Sequence, residues 1–242
     1  MSDAAAPYDL LPESRIRQAV ARRMRASVTE KPHVTLHARA VAENLLAARS
    51  QFGHGTGGPG TTRPTLTVIL AAVVSRCLRK FPRVNGHIQG SEIRLYKVVN
   101  LAVAVALQDG LITPVLRDCD RKDVPEIASE LSRLTKKAHS GTLSPWDVAD
   151  GTFTLTNLGA EGVEFFTPIV NPPQLAILGI GAIREEVKLV GDVFRSVPHL
   201  YLSLSFDHAA MDGQAAAEFL KLVVNAVEDP FASFQAQTGV MS

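Results

Sequence analysis

A histidine and an aspartate stand four residues apart in the segment Ser205–Gly213, which reads SFDHAAMDG. The apolar alternation of Leu200–Phe206 predicts a strand before them, and the periodic Gln214–Val227 predicts a helix after them. A strand-to-helix turn fixes the backbone and exposes its side chains, so His208 is placed to act as a general base and Asp212 to support the loop. Taken alone, the segment favours a plain loop histidine followed by a helix N-cap.

A second group of segments changes that interpretation. Gly151–Gly159 reads GTFTLTNLG and Phe166–Gly181 reads FTPIVNPPQLAILGIG. With SFDHAAMDG, these segments resemble the catalytic domain of the E2 acyltransferases of 2-oxo acid dehydrogenases, which are relatives of chloramphenicol acetyltransferase. The resemblance extends from about Ser14 to Pro230, and several motifs occur in the family's order. This combination is far more specific than any one motif.

The resemblance implies roles for three side chains in transfer of an acyl group from a thioester to a thiol. His208 would deprotonate the thiols of dihydrolipoamide and coenzyme A, since the thiolate is the nucleophile. The Thr156 hydroxyl would stabilise the oxyanion, and Asp212 would hold the geometry around His208. In the family, the base and the hydroxyl come from different subunits of a trimer, and the two substrates enter the channel between them from opposite ends.

The same resemblance implies contacts with coenzyme A at six positions. Arg49 would pair with a phosphate, although a surface arginine at a helix end is the open alternative. The hydroxyls of Thr67 and Thr135 would also contact coenzyme A, and the open alternative is that each makes local hydrogen bonds only. The six implied contacts are Arg49, Thr67, Thr135, Asn157, Gly181 and Ile183.

Three positions depart from the family pattern. Ala209 stands where the family has arginine after the histidine, Thr156 where it usually has serine, and Ala106 where some members have aspartate. The alanine at 209 removes a supporting ion pair, which puts the order of the loop in question. The additional methyl group of Thr156 restricts the rotamers of its hydroxyl. These departures indicate a divergent member.

Composition narrows the class of protein. The 242 residues are 46% hydrophobic and 20% charged with a net charge of +1, which predicts one globular core and no attraction to nucleic acid or an anionic membrane. Cys77 and Cys119 lie far apart without a CxxC motif, which favours buried reduced thiols. No apolar run reaches the roughly 18–20 residues of a membrane helix, and no signal peptide is recognised. We therefore expect a cytoplasmic protein, or a mitochondrial matrix protein in a eukaryote.

A basic helix face and a pair of histidines have simple interpretations that involve no ligand. The first predicted helix, capped by Ser14, has a basic face that we interpret as solvated, with a subunit contact or attraction of a phosphorylated ligand as the alternatives. His33 and His37 share one face of the predicted strand His33–Val41, but no third ligand is near, so we expect no metal site. The basic face comprises Arg15, Arg17, Arg22, Arg23 and Arg25.

The remaining patterns predict alternating helices and strands. Helices are predicted at Ala42–Phe52, Pro64–Phe81 and Pro125–Gly141, and strands at Ile93–Tyr96, Val98–Leu107, Leu111–Leu116 and Leu175–Ile180, with a hairpin at Val187–Leu204 around Gly191-Asp192. The glycine-rich loop Gly53–Thr62 lacks the lysine of a phosphate loop, and the Gly179/Gly181 pair lacks the third glycine of a dinucleotide site. The predicted fold class is α/β, a chloramphenicol acetyltransferase-like mixed sheet packed with helices that builds homotrimers.

The domain organisation predicted is a loose segment at 1–12 followed by a single acyltransferase catalytic domain at 13–242, with no lipoyl domain or peripheral-subunit-binding domain within this sequence. The function implied is acyl transfer between dihydrolipoamide and coenzyme A in the core of a 2-oxo acid dehydrogenase complex. Its partners would be copies of itself in trimers or in cores of twenty-four or sixty subunits, a lipoyl domain that carries the lipoamide, and the E1 and E3 components.

Two other functions stay open from the sequence. The first is a stand-alone acyltransferase that uses coenzyme A and another small-molecule acceptor. The second is a non-catalytic scaffold, for which Ala209 is the sole sequence support. The acyl group, whether acetyl, succinyl or branched-chain, is not encoded in any motif.

Overall fold

The computed structural model describes residues 8–9, 13–54, 64–108 and 110–235. The predicted loop Gly53–Thr62 and the segment 1–12 lie mostly outside these ranges. The helices are α1 (Arg15–Glu30), α2 (Glu43–His54), α3 (Leu66–Lys80), α4 (Val124–His139), α5 (Pro145–Val148), α6 (Gly213–Glu228) and α7 (Pro230–Gln235). The strands are β1 (His33–Val41), β2 (Gly86–Gln89), β3 (Glu92–Leu95), β4 (Leu101–Val103), β5 (Val105–Leu107), β6 (Gly110–Ile112), β7 (Val115–Leu116), β8 (Phe153–Asn157), β9 (Ala176–Val190) and β10 (Val193–Asp207).

Six of these strands form one mixed sheet in the order β1-β10-β9-β8-β4-β7. Strand β8 runs parallel to both β9 and β4, whereas the other neighbours are antiparallel. The pairs β2–β3 and β5–β6 form two separate hairpins. This arrangement confirms the predicted α/β class with a mixed sheet and packed helices.

One face of the sheet is apolar and carries the core. Phe153 and Leu155 of β8 are fully buried, as are the alternate residues Leu202 and Leu204 of β10, because period-two alternation sends them to the same side. Helix α3 is buried from Val68 to Leu78, as its apolar sequence predicts, and α6 packs beside it. Each large side chain removed from water here contributes about 1.5–3 kcal/mol.

The opposite face of the sheet is polar. Thr154 and Thr156 of β8 lie on it, together with Ser203 and Ser205 of β10, and Ser205 shares a 2.7 Å hydrogen bond with Thr35 of β1. The polar side chains bond to each other across the strands instead of facing a hydrophobic layer. This face therefore carries hydroxyl groups where the opposite face carries closely packed apolar side chains.

Two predicted strands are broken, which corrects the sequence interpretation. The predicted strand Val98–Leu107 divides into β4 and β5 at Ala104, and Leu111–Leu116 divides into β6 and β7 before Val115. The first break separates β4, which pairs with β7 and β8 in the large sheet, from β5, which pairs with β6 in a separate hairpin. The second occurs at Pro114, which has no N–H to donate. The predicted hairpin turn at Gly191 is confirmed, and its φ of 62° suits glycine.

The structure can be compared with two predictions from composition, buried thiols and the lack of a membrane-spanning helix. Cys77 and Cys119 are free and buried, and burial raises the pKa of each thiol to about 12, so both thiols are unreactive near neutral pH. No helix within the described ranges combines the length and the apolarity that a membrane crossing requires.

Gly181 lies where the segment around Glu164 crosses β9, and this close approach generates a stability prediction. A β-carbon at Gly181 would lie 1.9 Å from the Glu164 carbonyl oxygen, and backbone cannot move aside as a flexible side chain can. We expect Gly181→Ala to lower the free energy of unfolding by about 1–3 kcal/mol in urea denaturation, as other overpacked sites do.

The matched control for this prediction is Gly213→Ala at the first residue of α6, where a β-carbon meets nothing within 4 Å. Its free energy of unfolding should stay within about 0.5 kcal/mol of the wild type. Equal losses in the two variants would contradict the role of the close approach.

Candidate active site

His208 lies directly after β10, in the turn that leads to α6. Its backbone N–H donates to the Pro32 carbonyl over 2.9 Å, and its side chain is exposed. The ring lies 5.7 Å from the ring of Phe206. The imidazole makes no hydrogen bond to any residue that the structure describes. Both ring nitrogens are thus open to a ligand or to another copy of the chain.

The His208 turn is held by Asp207, a residue that the sequence interpretation missed. One oxygen of its buried carboxylate accepts from Lys31 Nζ over 2.9 Å, and the other accepts from the Ala209 N–H over 3.0 Å. The carbonyl of Asp207 also accepts from the Ala210 and Met211 N–H groups. The sequence contains one signal for this role, the aspartate directly before the histidine. It contains none for Lys31, because the two residues are 176 positions apart.

Asp212 is the N-cap of α6, which is one of its two predicted roles. Its Oδ1 accepts from the Ala215 N–H over 2.8 Å and caps α6. A capping aspartate also compensates the positive end of the helix dipole. Asp212, His208 and Ala209 border a cavity of about 210 Å³, and Arg83 reaches the same cavity. A guanidinium therefore borders the same cavity as the histidine, although position 209 is alanine.

Thr156 lies on the polar face of β8 and lines a larger cavity of about 580 Å³. Its hydroxyl makes no hydrogen bond to any residue in the described ranges, whereas the Thr154 hydroxyl donates to Gln174 over 2.5 Å. The Thr156 hydroxyl is therefore unsatisfied by the described residues, as are those of Thr113 and Thr167 on the same cavity. The apolar lining comes from α1, the β5–β6 hairpin, β9 and the segment 166–169, and includes Val20, Met24, Leu111, Ile112, Phe166 and Ile177.

Arg23 is the charged residue on the wall of this cavity. Its guanidinium donates to the Pro172 carbonyl, and burial lowers the pKa of the arginine. Arg23 and Asn171 also border an adjoining polar cavity of about 360 Å³. In that second cavity His87 bonds to Tyr96 and to the Gly151 carbonyl, and burial lowers the pKa of the imidazole.

Three of the six predicted coenzyme A contacts lie around the beginning of α3. Asn157 donates from Nδ2 to the Thr67 hydroxyl over 3.1 Å, and its Oδ1 accepts from the Gly159 N–H over 2.8 Å. Arg49 donates from Nε to the Pro64 carbonyl over 3.0 Å. The structure thus brings Thr67 and Asn157 into direct contact and places Arg49 near the same helix end. Gly181 and Ile183 lie on β9, and Thr135 lies on α4, half-buried.

His208 and Thr156 line two different cavities of one chain, as far as the described residues define them. The two cavities share no lining residue. His208 follows the last residue of β10, whereas Thr156 pairs with Gly179 in the middle of the sheet. One copy of the chain therefore presents the histidine and the hydroxyl at separate places.

His33 and His37, where we expected no metal site, both hydrogen-bond to groups of the protein. Nδ1 of His33 lies 3.0 Å from the Lys31 carbonyl, and Nε2 accepts from the Val170 N–H over 3.1 Å. His37 bonds to Ser203 over 2.9 Å. Within the described ranges, no group of three histidine, cysteine or acidic residues is placed to hold a metal ion.

Comparison with known structures defines the class. The fold matches chloramphenicol acetyltransferase with a TM-score of 0.52 at 14% identity over 89% of this chain and 95% of that one, which shows a common fold. It matches the cubic core of a pyruvate dehydrogenase multienzyme complex with a TM-score of 0.87 at 30% identity over 95% of both chains. Residues 6–234 match the family described as 2-oxoacid dehydrogenases acyltransferase (catalytic domain). The chain belongs to this family, as its motifs predict.

The curated relatives carry names of E2 components. The chain is 37% identical over 234 residues to the dihydrolipoyllysine-residue acetyltransferase component of the pyruvate dehydrogenase complex of Bacillus subtilis (strain 168), covering 94% of this chain and 53% of that protein. It is 33% identical to the succinyltransferase component of the 2-oxoglutarate dehydrogenase complex of Haemophilus influenzae, covering 91% of this chain and 54% of that protein. The chain thus spans about half the length of the curated relatives it matches.

The buried pair Lys31–Asp207 generates a prediction about the stability of the His208 turn. Replacing Lys31 by methionine leaves a buried carboxylate without its cation, which typically costs about 3–5 kcal/mol. We expect Lys31→Met to lower the free energy of unfolding by this amount in urea denaturation. Lys221→Met, at an exposed position of α6, is the matched control and should change it by about 0.5 kcal/mol or less. Similar stability of the two variants would argue against the ion pair as the anchor.

Proposed function

We propose that this chain is the catalytic domain, over residues 13–242, of an acyltransferase that moves an acyl group between dihydrolipoamide and coenzyme A. The observation that carries the proposal is the Thr156 hydroxyl, which faces an apolar cavity without a protein partner, in a chain of this family. Such a hydroxyl is a ready donor to an oxyanion. The apolar lining favours a thioester by excluding the water that would hydrolyse it.

The transfer needs one base and one hydrogen-bond donor. His208, with both nitrogens unengaged by the chain, removes the proton from the attacking thiol. The thiolate adds to the thioester carbonyl, and Thr156 donates a hydrogen bond to the resulting oxyanion. The intermediate collapses as the C–S bond of the leaving thiol breaks, and the imidazolium returns its proton to that sulfur. Charge and protons balance without any covalent bond to the protein.

The separation of the two groups supports a shared site between copies of the chain. Since His208 and Thr156 line different cavities of one copy, a neighbouring copy in a homotrimer supplies the histidine to the threonine. The similarity to the cubic core of a pyruvate dehydrogenase complex supports assembly into a larger symmetric core. The same assembly gives the E1 and E3 components a common scaffold.

The two sides of β8 accommodate the two substrates. Coenzyme A lies on the side of Asn157 and Thr67, near the beginning of α3 and Arg49. The dihydrolipoyl arm, carried by a lipoyl domain, enters the apolar cavity that Thr156 lines on the other side. The reacting atoms then meet at the strand that separates the two sides. Such a complex works in the bacterial cytoplasm, or in the mitochondrial matrix of a eukaryote.

Initial rates with free dihydrolipoamide and a panel of acetyl-, succinyl- and isobutyryl-coenzyme A test the proposal. His208→Ala should lower kcat by about 10²–10⁴-fold, the usual contribution of a general base. Thr156→Ala should lower kcat by about 10²–10³-fold, whereas Thr156→Ser keeps the hydroxyl and should stay within about tenfold of the wild type.

His139→Ala, an exposed histidine at the end of α4, is the matched control and should leave the rate unchanged. Transfer that survives in His208→Ala would contradict the assigned base. Binding of coenzyme A without transfer to dihydrolipoamide by the wild type would contradict the proposed acceptor and favour another small-molecule acceptor.

A further inference from the structure

Helix α1 carries a high density of positive charge. Five of its residues are arginine, and Glu30 is its one acidic residue. All five arginines and Glu30 are exposed. The arginines are Arg15, Arg17, Arg22, Arg23 and Arg25.

None of these arginines pairs with a carboxylate of the described residues. Arg83 and Arg121 are also exposed without such a partner, but α1 gathers five such arginines on one helix. Elsewhere an acidic partner within 4.0 Å is found for Arg39, Arg79, Arg94, Arg117, Arg133, Arg184 and Arg195. A group of unneutralised guanidinium groups is a positive patch that attracts and orients an acidic partner. Arginine is also the side chain best suited to bidentate bonds with carboxylates.

The position of α1 relates this charge to the cavity of Thr156. The side of α1 with Val20 and Met24 forms part of the cavity wall. Ser27 ties the helix to the opposite wall by donating to the Val170 carbonyl over 2.6 Å. Arg22 and Arg25 lie on the other side of the helix, since they are about 140–160° around it from the buried Ser27 at 100° per residue. Arg22 and Arg25 therefore border the cavity without lining it, whereas Arg23 lines it.

The patch lies on the side of the acyl acceptor and not on that of coenzyme A. The residues that fit coenzyme A, Thr67 and Asn157, meet on the helix-covered side of β8. Helix α1 covers the opposite side, where Thr156 faces the cavity. A phosphate bound at α3 would be separated from α1 by the sheet.

We propose that the outer face of α1, with Arg15, Arg22 and Arg25, is the docking surface for a folded acidic protein domain that delivers the dihydrolipoyl arm to the cavity. The inference rests on the proposed function and adds to it the place and the chemistry of carrier recognition. Carboxylates around the attachment point of the arm pair with the arginines. The arm then passes beside Val20 towards Thr156.

The test compares two acceptors for the same acyl-coenzyme A. One is free dihydrolipoamide, which is neutral, and the other is a reduced, lipoylated lipoyl domain with acidic residues around its lipoyl lysine. Arg22→Glu/Arg25→Glu should lower kcat/KM for the lipoyl domain by about tenfold or more and leave free dihydrolipoamide within about twofold. Raising the salt from about 20 to 300 mM should weaken the wild-type preference for the domain and have little effect on the variant.

Lys80→Glu/Lys221→Glu, at exposed positions of α3 and α6, has the same change in net charge and should keep the wild-type rate with the lipoyl domain. An equal loss with both acceptors, or no loss with the lipoyl domain, would overturn the proposal. So would a change in sedimentation of Arg22→Glu/Arg25→Glu, since it would assign the face to a contact between copies. Titration calorimetry of the unacylated lipoyl domain tests docking directly. It therefore separates failure of docking from failure of the proposed reaction.

Discussion

The buried ion pair between Lys31 and Asp207 connects the parts of the structure on which the site depends. Lys31 follows α1, which forms one wall of the Thr156 cavity, and Asp207 ends β10 and begins the His208 turn. Both charges are almost completely removed from water, so their desolvation must be offset by mutual attraction and by the hydrogen bond from Ala209. A pair of this kind adds little net stability but makes other arrangements of α1 and the turn costly. It thereby positions both the wall of the cavity and the histidine.

The two faces of the sheet have different roles. Its apolar face against α3 and α6 supplies the hydrophobic free energy, so its polar face is free to hold threonines and serines that a core would exclude. Those side chains satisfy each other across strands, as Thr35 and Ser205 do, and Thr156 is left over in the apolar cavity. A donor held by a strand in the middle of a sheet is well fixed, which is what electrostatic stabilisation of an oxyanion requires.

The sequence was sufficient to predict the class of fold, the family and the elements that carry His208 and Thr156, because these depend on local periodicity and on contiguous motifs. It did not predict the breaks in the strands at Ala104 and Pro114, since the first depends on β4 and β5 pairing with different strands, one of which, β8, is distant in the chain. Nor did it predict the anchor of the His208 turn, because Lys31 has no motif and is joined to Asp207 through tertiary structure. The role of Asp212 as a helix cap was readable, as one of two interpretations.

The alanine at 209 removes a side chain that the family pattern provides, and the structure explains why the turn does not depend on it. The contact of residue 209 with the turn is its backbone N–H, which Asp207 accepts, so any side chain that tolerates this conformation keeps the same anchor. Arg83, which comes from a different element, borders the same cavity as His208. The substitution was the sole sequence argument for a non-catalytic scaffold. Because the turn is anchored through the backbone of residue 209, the loss of that side chain alone does not argue for a scaffold.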